Sequence, residues 1–141
     1  MNNTRLLIIE DELPIANLIK RAAEDEEYDV HHTSGMHQIP IAYAGFKPDV
    51  IVLDIMMPDM DGVEVLQYLH AQYSRSKIII LSGSDALSRR IAESLGKGLG
   101  LHIVANLSKP FRIQLLKETL RELRQEVNTM PSAPLPIYSS M

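Results

Sequence analysis

Val50-Ile51-Val52-Leu53 is an unbroken apolar run that ends on a carboxylate, Asp54. Four residues are too few for a stable helix, and the run lacks the alternation of a strand wetted on one side, so it reads as a strand buried on both faces. Leu6-Leu7-Ile8-Ile9, Ile78-Ile79-Ile80-Leu81 and Ile103-Val104-Ala105 repeat the pattern, and Tyr28 to His32 reads as an edge strand. Helical spacing fills the intervals. Ile15, Leu18, Ile19, Ala22 and Ala23 make one apolar stripe behind Pro14, which suits a first helical turn. Further helices are predicted over Met36 to Phe46, Gly62 to Tyr73 (Val65, Leu66, Leu69, Tyr73), Ala86 to Leu95 (Leu87, Ile91, Leu95) and Phe111 to Val127. Strand and helix thus alternate five times. Parallel neighbours need crossover helices, and right-handed crossovers place them on both faces. The expected fold is α/β: a doubly wound, five-stranded parallel sheet in the order 2-1-3-4-5.

With 141 residues, 45% hydrophobic and 23% charged, the chain has the composition of one folded domain with a single core. Fourteen Lys and Arg against eighteen Asp and Glu leave a charge of −4, without the broad positive field that a nucleic-acid backbone needs. No direct contact with nucleic acid is expected. No apolar stretch approaches the ~20 residues of a membrane span, and Met1-Asn2-Asn3-Thr4-Arg5 lacks a secretory core, so the cytoplasm is the expected compartment. The absence of cysteine excludes disulfides, thiolate metal sites and cysteine nucleophiles. From Asn128 the character changes: Pro131, Pro134 and Pro136 fall among Ser and Ala. Residues 4–127 are expected to form the domain, and 128–141 a Pro/Ser-rich linker or tail.

Open α/β sheets bind ligands at the carboxyl ends of their strands. Glu10-Asp11-Glu12 follows the first strand, Asp54 ends the third, Ser82 ends the fourth, and Lys109 follows the fifth. Glu10, Asp11 and Asp54 would sit together beside the switch point, where bare carboxylates repel and raise one another's pKa. A divalent cation relieves that repulsion, and an all-oxygen ligand set favours Mg²⁺. A carboxylate beside Mg²⁺, with an ammonium and a hydroxyl opposite, has the parts to accept a phosphoryl group as an aspartyl phosphate.

Four blocks then occur in order: Glu10-Asp11; Asp54-Ile55-Met56-Met57-Pro58-Asp59-Met60-Asp61-Gly62; Leu81-Ser82-Gly83; and Lys109-Pro110-Phe111. Over roughly Thr4 to Val127 the chain resembles the receiver domains of two-component response regulators, the CheY-like family. The resemblance implies that Asp54 accepts a phosphoryl group from a sensor histidine kinase or phosphotransfer protein. It implies Mg²⁺ held by Asp11, Asp54 and the Met56 backbone carbonyl, with Glu10 acting through a metal-bound water. Lys109 would pair with the phosphoryl group, Ser82 would bond it after moving inward, and the Lys109-Pro110 bond would be cis. Asp61-Gly62 would close the loop after the third strand, with Asp61 and Glu64 as a capping pair. The family's behaviour implies self-catalysed phosphorylation and dephosphorylation without metabolic turnover, and a phosphorylation-dependent homodimer. The Pro-rich tail is expected to lead to an output domain, the alternative being a stand-alone receiver.

One position departs from the pattern. Receivers commonly carry Tyr or Phe three residues before the Lys, where this chain has Asn106, so an aromatic rotamer switch is not available. Coupling is expected to run through Ser82 and the loop after the fourth strand, with Asn106 acting through hydrogen bonds or not at all. Gly100 to Phe111 looks more like receivers joined to cyclic-di-GMP phosphodiesterase domains. The alternative is a pseudo-receiver, a protein-binding module that no longer uses phosphorylation.

Plainer readings exist for several of these residues. Glu10-Asp11-Glu12 alone could be a solvated helix start, and Ser84 and Asp85 read as caps. His31 and His32, adjacent in a strand, point to opposite faces and make a poor metal site with His37. Gly96-Lys97-Gly98-Leu99-Gly100 follows a helix and reads as its stop, not as a phosphate loop. Asn2-Asn3-Thr4 and Asn106-Leu107-Ser108 match a glycosylation pattern by chance. Ile113, Leu116, Leu120, Leu123 and Val127 span fewer than three heptads and suit packing on the sheet. A flavin protein would need a phosphate loop where Glu10-Asp11-Glu12 stands, and a dehalogenase-type phosphatase would need an Asp at Met56.

Overall fold

A computed structural model describes residues 3–55, 62–83 and 86–129. The elements run β1 (Arg5–Ile9), α1 (Leu13–Asp25), β2 (Asp29–Thr33), α2 (Ile39–Phe46), β3 (Val50–Asp54), α3 (Gly62–Ala71), β4 (Lys77–Ser82), α4 (Ala86–Gly98), β5 (His102–Ser108) and α5 (Ile113–Thr129). All strand pairs are parallel and the order is β2-β1-β3-β4-β5, as the sequence predicts. The order reverses between β1 and β3, which are neighbours there. Residues 56–61, among them Met56 and Asp61, residues Ser84 and Asp85, and residues 130–141 lie outside the described residues, as do the side chains of Leu87 and Ile91.

Each central strand serves two cores, one on each face of the sheet, where the chain length predicts a single core; this is why its residues do not alternate in polarity. Leu6, Ile8, Val50, Val52, Ile79 and Leu81 pack with Ala16, Ile19 and Ala23 of α1 and with Leu116, Leu120 and Leu123 of α5. Leu7, Ile9, Ile51, Leu53, Ile78 and Ile80 pack with Ile39 of α2 and with Val65, Leu66 and Leu69 of α3. Burying each of these Val, Leu and Ile side chains stabilises the fold by roughly 1.5–3 kcal/mol before conformational entropy is subtracted. Across the first core, the Tyr28 hydroxyl donates to the Leu120 carbonyl at 2.6 Å. Beside it, Arg121 donates twice to Glu26, both at 2.9 Å.

Two stripe positions differ from expectation. Leu18 is 46% exposed, because α1 turns Ala16, Ile19 and Ala23 inward and leaves Leu18 at the margin. Tyr73 is 89% exposed, because α3 stops at Ala71 and Tyr73 lies in a turn with φ of 54°. Strands and helices also run past several predicted ends. β5 continues to Ser108, α4 to Gly98 and α5 to Thr129, two residues beyond the expected domain limit at Val127.

β4 and β5 carry one irregularity. Ile78 pairs with Ile103, but Ile79 pairs with Ala105, so Val104 is an extra residue in β5. Because side chains alternate at every residue, this bulge turns everything after it to the opposite face from the one a regular ladder would give. Asn106 consequently faces the same side as its partner Ile80, and Ser108 the same side as Ser82.

Candidate functional site

The strands deliver their last residues to one end of the sheet. Glu10 follows β1 and is fully buried, Asp54 closes β3 at 1% exposure, and Ser82 closes β4. Lys109 follows β5, its backbone N–H donating to the Ser82 carbonyl at 2.7 Å, and the Lys109-Pro110 peptide is cis as expected. The start of α3 is pressed against this end. A Cβ on Gly62 would lie 2.8 Å from the Ile55 Cα, so only glycine permits that approach beside Asp54.

Glu10, Asp11, Glu12 and Asp54 each present a carboxylate oxygen, all within 4.8 Å of one another. Lys109 Nζ stands 2.8 Å from Asp54 Oδ2, 3.2 Å from Glu10 Oε1 and 3.3 Å from Glu12 Oε1. Burial, followed by the hydrogen bond to Asp54 and its charge, raises the Glu10 carboxyl to about 7. Burial works against the Lys109 ammonium, but hydrogen bonding to Asp54 and the charges of Asp54 and Glu10 prevail and push it up to about 12. One ammonium thus meets three of the four clustered carboxylates. Glu10 Oε1 and Asp11 Oδ1 are buried and receive no hydrogen bond, the former having Lys109 only at ion-pair distance. Such oxygens are costly unless a cation meets them, and a set without imidazole or thiolate suits a hard one. The residues present therefore fit Mg²⁺. The expected Met56 carbonyl falls outside the described residues.

The sequence-predicted residues Glu10, Asp11, Asp54 and Lys109 come together. Ser82 is at the same end, but its hydroxyl donates to Asn106 Oδ1 at 3.2 Å. Three contributions were not read from the sequence. Glu12 sends its carboxylate to Lys109 and makes no side-chain cap to α1, although its place in the acidic triplet was a signal. His32 Nε2 lies 2.6 Å from the Glu10 carbonyl, while the His31 ring packs 5.5 Å from that of Phe46, so the adjacent histidines do serve different neighbours. Asn106 as the partner of Ser82 is the third. A cleft of about 770 Å³ lined by Lys47, Asp49, Arg75, Lys77 and His102 lies at the opposite end of the strands, so cavity size does not mark this chemistry.

A family model described as the response regulator receiver domain matches residues 6–121. The chain is 34% identical over 139 residues to the KDP operon transcriptional regulatory protein KdpE of Escherichia coli, covering 98% of this chain and 59% of that protein. It is 34% identical to the alkaline phosphatase synthesis transcriptional regulatory protein PhoP of Bacillus subtilis, covering 77% of this chain and 43% of that one. The chain spans about half the length of such curated relatives. Among solved structures, a response regulator from Colwellia psychrerythraea superposes with a TM-score of 0.75 at 31% identity, covering 87% of this chain and 98% of the other. The receiver domain of the Francisella response regulator 1452 gives the same TM-score at 27% identity, covering 89% and 99%. With its sheet order, its acidic cluster and these matches in agreement, the chain belongs to the response regulator receiver domains of two-component systems.

Proposed function

We propose that this chain is a phosphorylation-controlled switch in which Asp54 is the phosphoacceptor. The observation that carries the reading is Asp54 itself: buried at the end of β3, bonded to Lys109 at 2.8 Å and grouped with Glu10 and Asp11. An Asp54 carboxylate oxygen attacks the phosphorus of a phosphohistidine on a sensor kinase or phosphotransfer protein. The new O–P bond forms as the P–N bond breaks, and the imidazole leaves with the electron pair and takes a proton. Lys109 neutralises charge on the transferred group, and Ser82 donates a hydrogen bond to it. Asp11, Asp54, the Met56 carbonyl and, through water, Glu10 would hold Mg²⁺, which supplies charge neutralisation to the phosphoryl oxygens. The chain carries one phosphoryl group at a time and catalyses only its own loading and hydrolysis.

Residues 4–127, together with the last two residues of α5 up to Thr129, act as the receiver, and the rest of the chain to 141 as the linker to an output. Relatives named as transcriptional regulatory proteins support an output acting on transcription. The likeness of β5 to receivers joined to cyclic-di-GMP phosphodiesterase domains offers a second output. The phosphorylated state pairs with a second copy or a partner through the surface of α4, β5 and α5. No described helix is long and apolar enough to cross a membrane, and we assign the chain to the cytoplasm.

Incubation with acetyl phosphate tests the acceptor. Intact mass is expected to rise by one phosphate with Mg²⁺, and by none with a chelator or in Asp54→Asn. Equal labelling of a folded Asp54→Asn variant would overturn the assignment, and an unlabelled wild type would favour the pseudo-receiver.

A further inference from the structure

Ser82 has one hydroxyl proton, and a hydroxyl donates to one acceptor at a time. In this structure that proton goes to Asn106 Oδ1 at 3.2 Å. The Ser82 side chain is fully buried, so neighbouring protein groups, not bulk water, decide where its proton points. The pairing depends on the extra residue in β5. Without Val104 in excess, Asn106 would lie opposite Leu81, whose side chain belongs to the other core. With it, Asn106 lies opposite Ile80 and diagonally across from Ser82 on the same face. Asn106 is only half-buried, so its carboxamide has solvent within reach when the hydroxyl departs.

Resting on the phosphoacceptor reading, we propose that Asn106 is a positioning residue: a hydrogen-bond latch that holds the Ser82 hydroxyl away from the Asp54 site until a phosphoryl group outbids it. Phosphorylation exchanges one acceptor for another. The Ser82–Asn106 bond breaks, the hydroxyl turns to a phosphoryl oxygen, and the carboxamide is released towards the surface of β5. The latch lowers the affinity of the site for a phosphoryl group by the strength of the bond it forfeits. It also places the moving part of β5 in an amide, where an apolar ring would act by burial.

The test measures binding of beryllofluoride, a phosphoryl mimic, with Mg²⁺ in excess. Asn106→Ala removes the competing acceptor and is expected to bind the mimic about two- to tenfold more tightly, the range of one hydrogen bond. Asn106→Val, which keeps strand propensity without an acceptor, is expected to do the same. Mg²⁺ affinity without the mimic should stay at the wild-type value, which reports an intact fold. In a Ser82→Ala background, Asn106→Ala should change nothing, because the latch has nothing to hold. A shift of equal size in that background would show a merely structural effect and overturn the latch. Unchanged or weaker binding in both Asn106 variants would overturn it as well. A wild type that takes up no mimic would instead sink the phosphoacceptor reading and the latch with it.

Discussion

The carboxylates at the sheet end set how this protein should respond to pH. Glu10 is raised from 4.5 to about 7, first by burial and then by Asp54. A carboxyl whose folded pKa lies above its unfolded value opposes folding when ionised. Its penalty is fully present above about pH 7 and gone below 4.5, so the metal-free protein should lose this contribution to stability as pH rises through that window. Metal binding has the reverse preference, because the cation needs the ionised form. Mg²⁺ affinity followed by calorimetry should therefore fall by up to about tenfold per pH unit below 7, and Glu10→Gln should flatten that dependence. A wild-type profile as flat as that of Glu10→Gln would deny the role of this carboxyl. The neighbouring residues divide differently. Asp11→Ala should weaken Mg²⁺ more than Glu10→Ala, losing a direct ligand where the other loses a water-held contact. Lys109→Ala should leave most Mg²⁺ affinity, since an ammonium cannot ligate a cation, while acetyl phosphate labelling or its conformational effect is impaired.

Between elements, the tightest constraint is where α3 begins. Gly62→Ala would drive a Cβ to 2.8 Å from the backbone and side chain of Ile55, the residue after Asp54. The clash is with backbone and cannot be relieved by a rotamer change, so about 1–3 kcal/mol of stability should be lost. Urea denaturation reads that loss. Asp54 labelling should slow in the same variant even where it remains folded, because relief must move the end of β3. A variant as stable and as readily labelled as wild type would show that α3 yields at no cost. The bulge in β5 is the second constraint. It adds Val104 to the strand, leaves that residue 40% exposed, and resets which face Ala105, Asn106 and Leu107 occupy.

Across the whole molecule, the sheet is a partition between two cores, and stability should track which residues reach them. Leu120→Ala removes a fully buried side chain between α5 and the sheet and should cost about 2–5 kcal/mol in chemical denaturation. Leu18→Ala should cost less than about 0.5 kcal/mol, although both leucines lie on predicted stripes. Equal losses would contradict the exposure of Leu18. The five strands, the helices between them, the sheet order, and the meeting of Glu10, Asp11, Asp54 and Lys109 were legible in the residues alone. They depend on local signals, namely apolar runs, helical spacing and the chemistry at strand ends, and the crossover rules convert those signals into one topology. The exposure of Leu18 and Tyr73, the reach of Glu12 to Lys109, and the Ser82–Asn106 bond were not legible. Each depends on an angle or register that distant segments impose together: how far α1 rolls on the sheet, where α3 stops, and the single extra residue between Ile103 and Ala105. A slip of one residue leaves composition and periodicity almost unchanged, yet it reverses every side chain that follows.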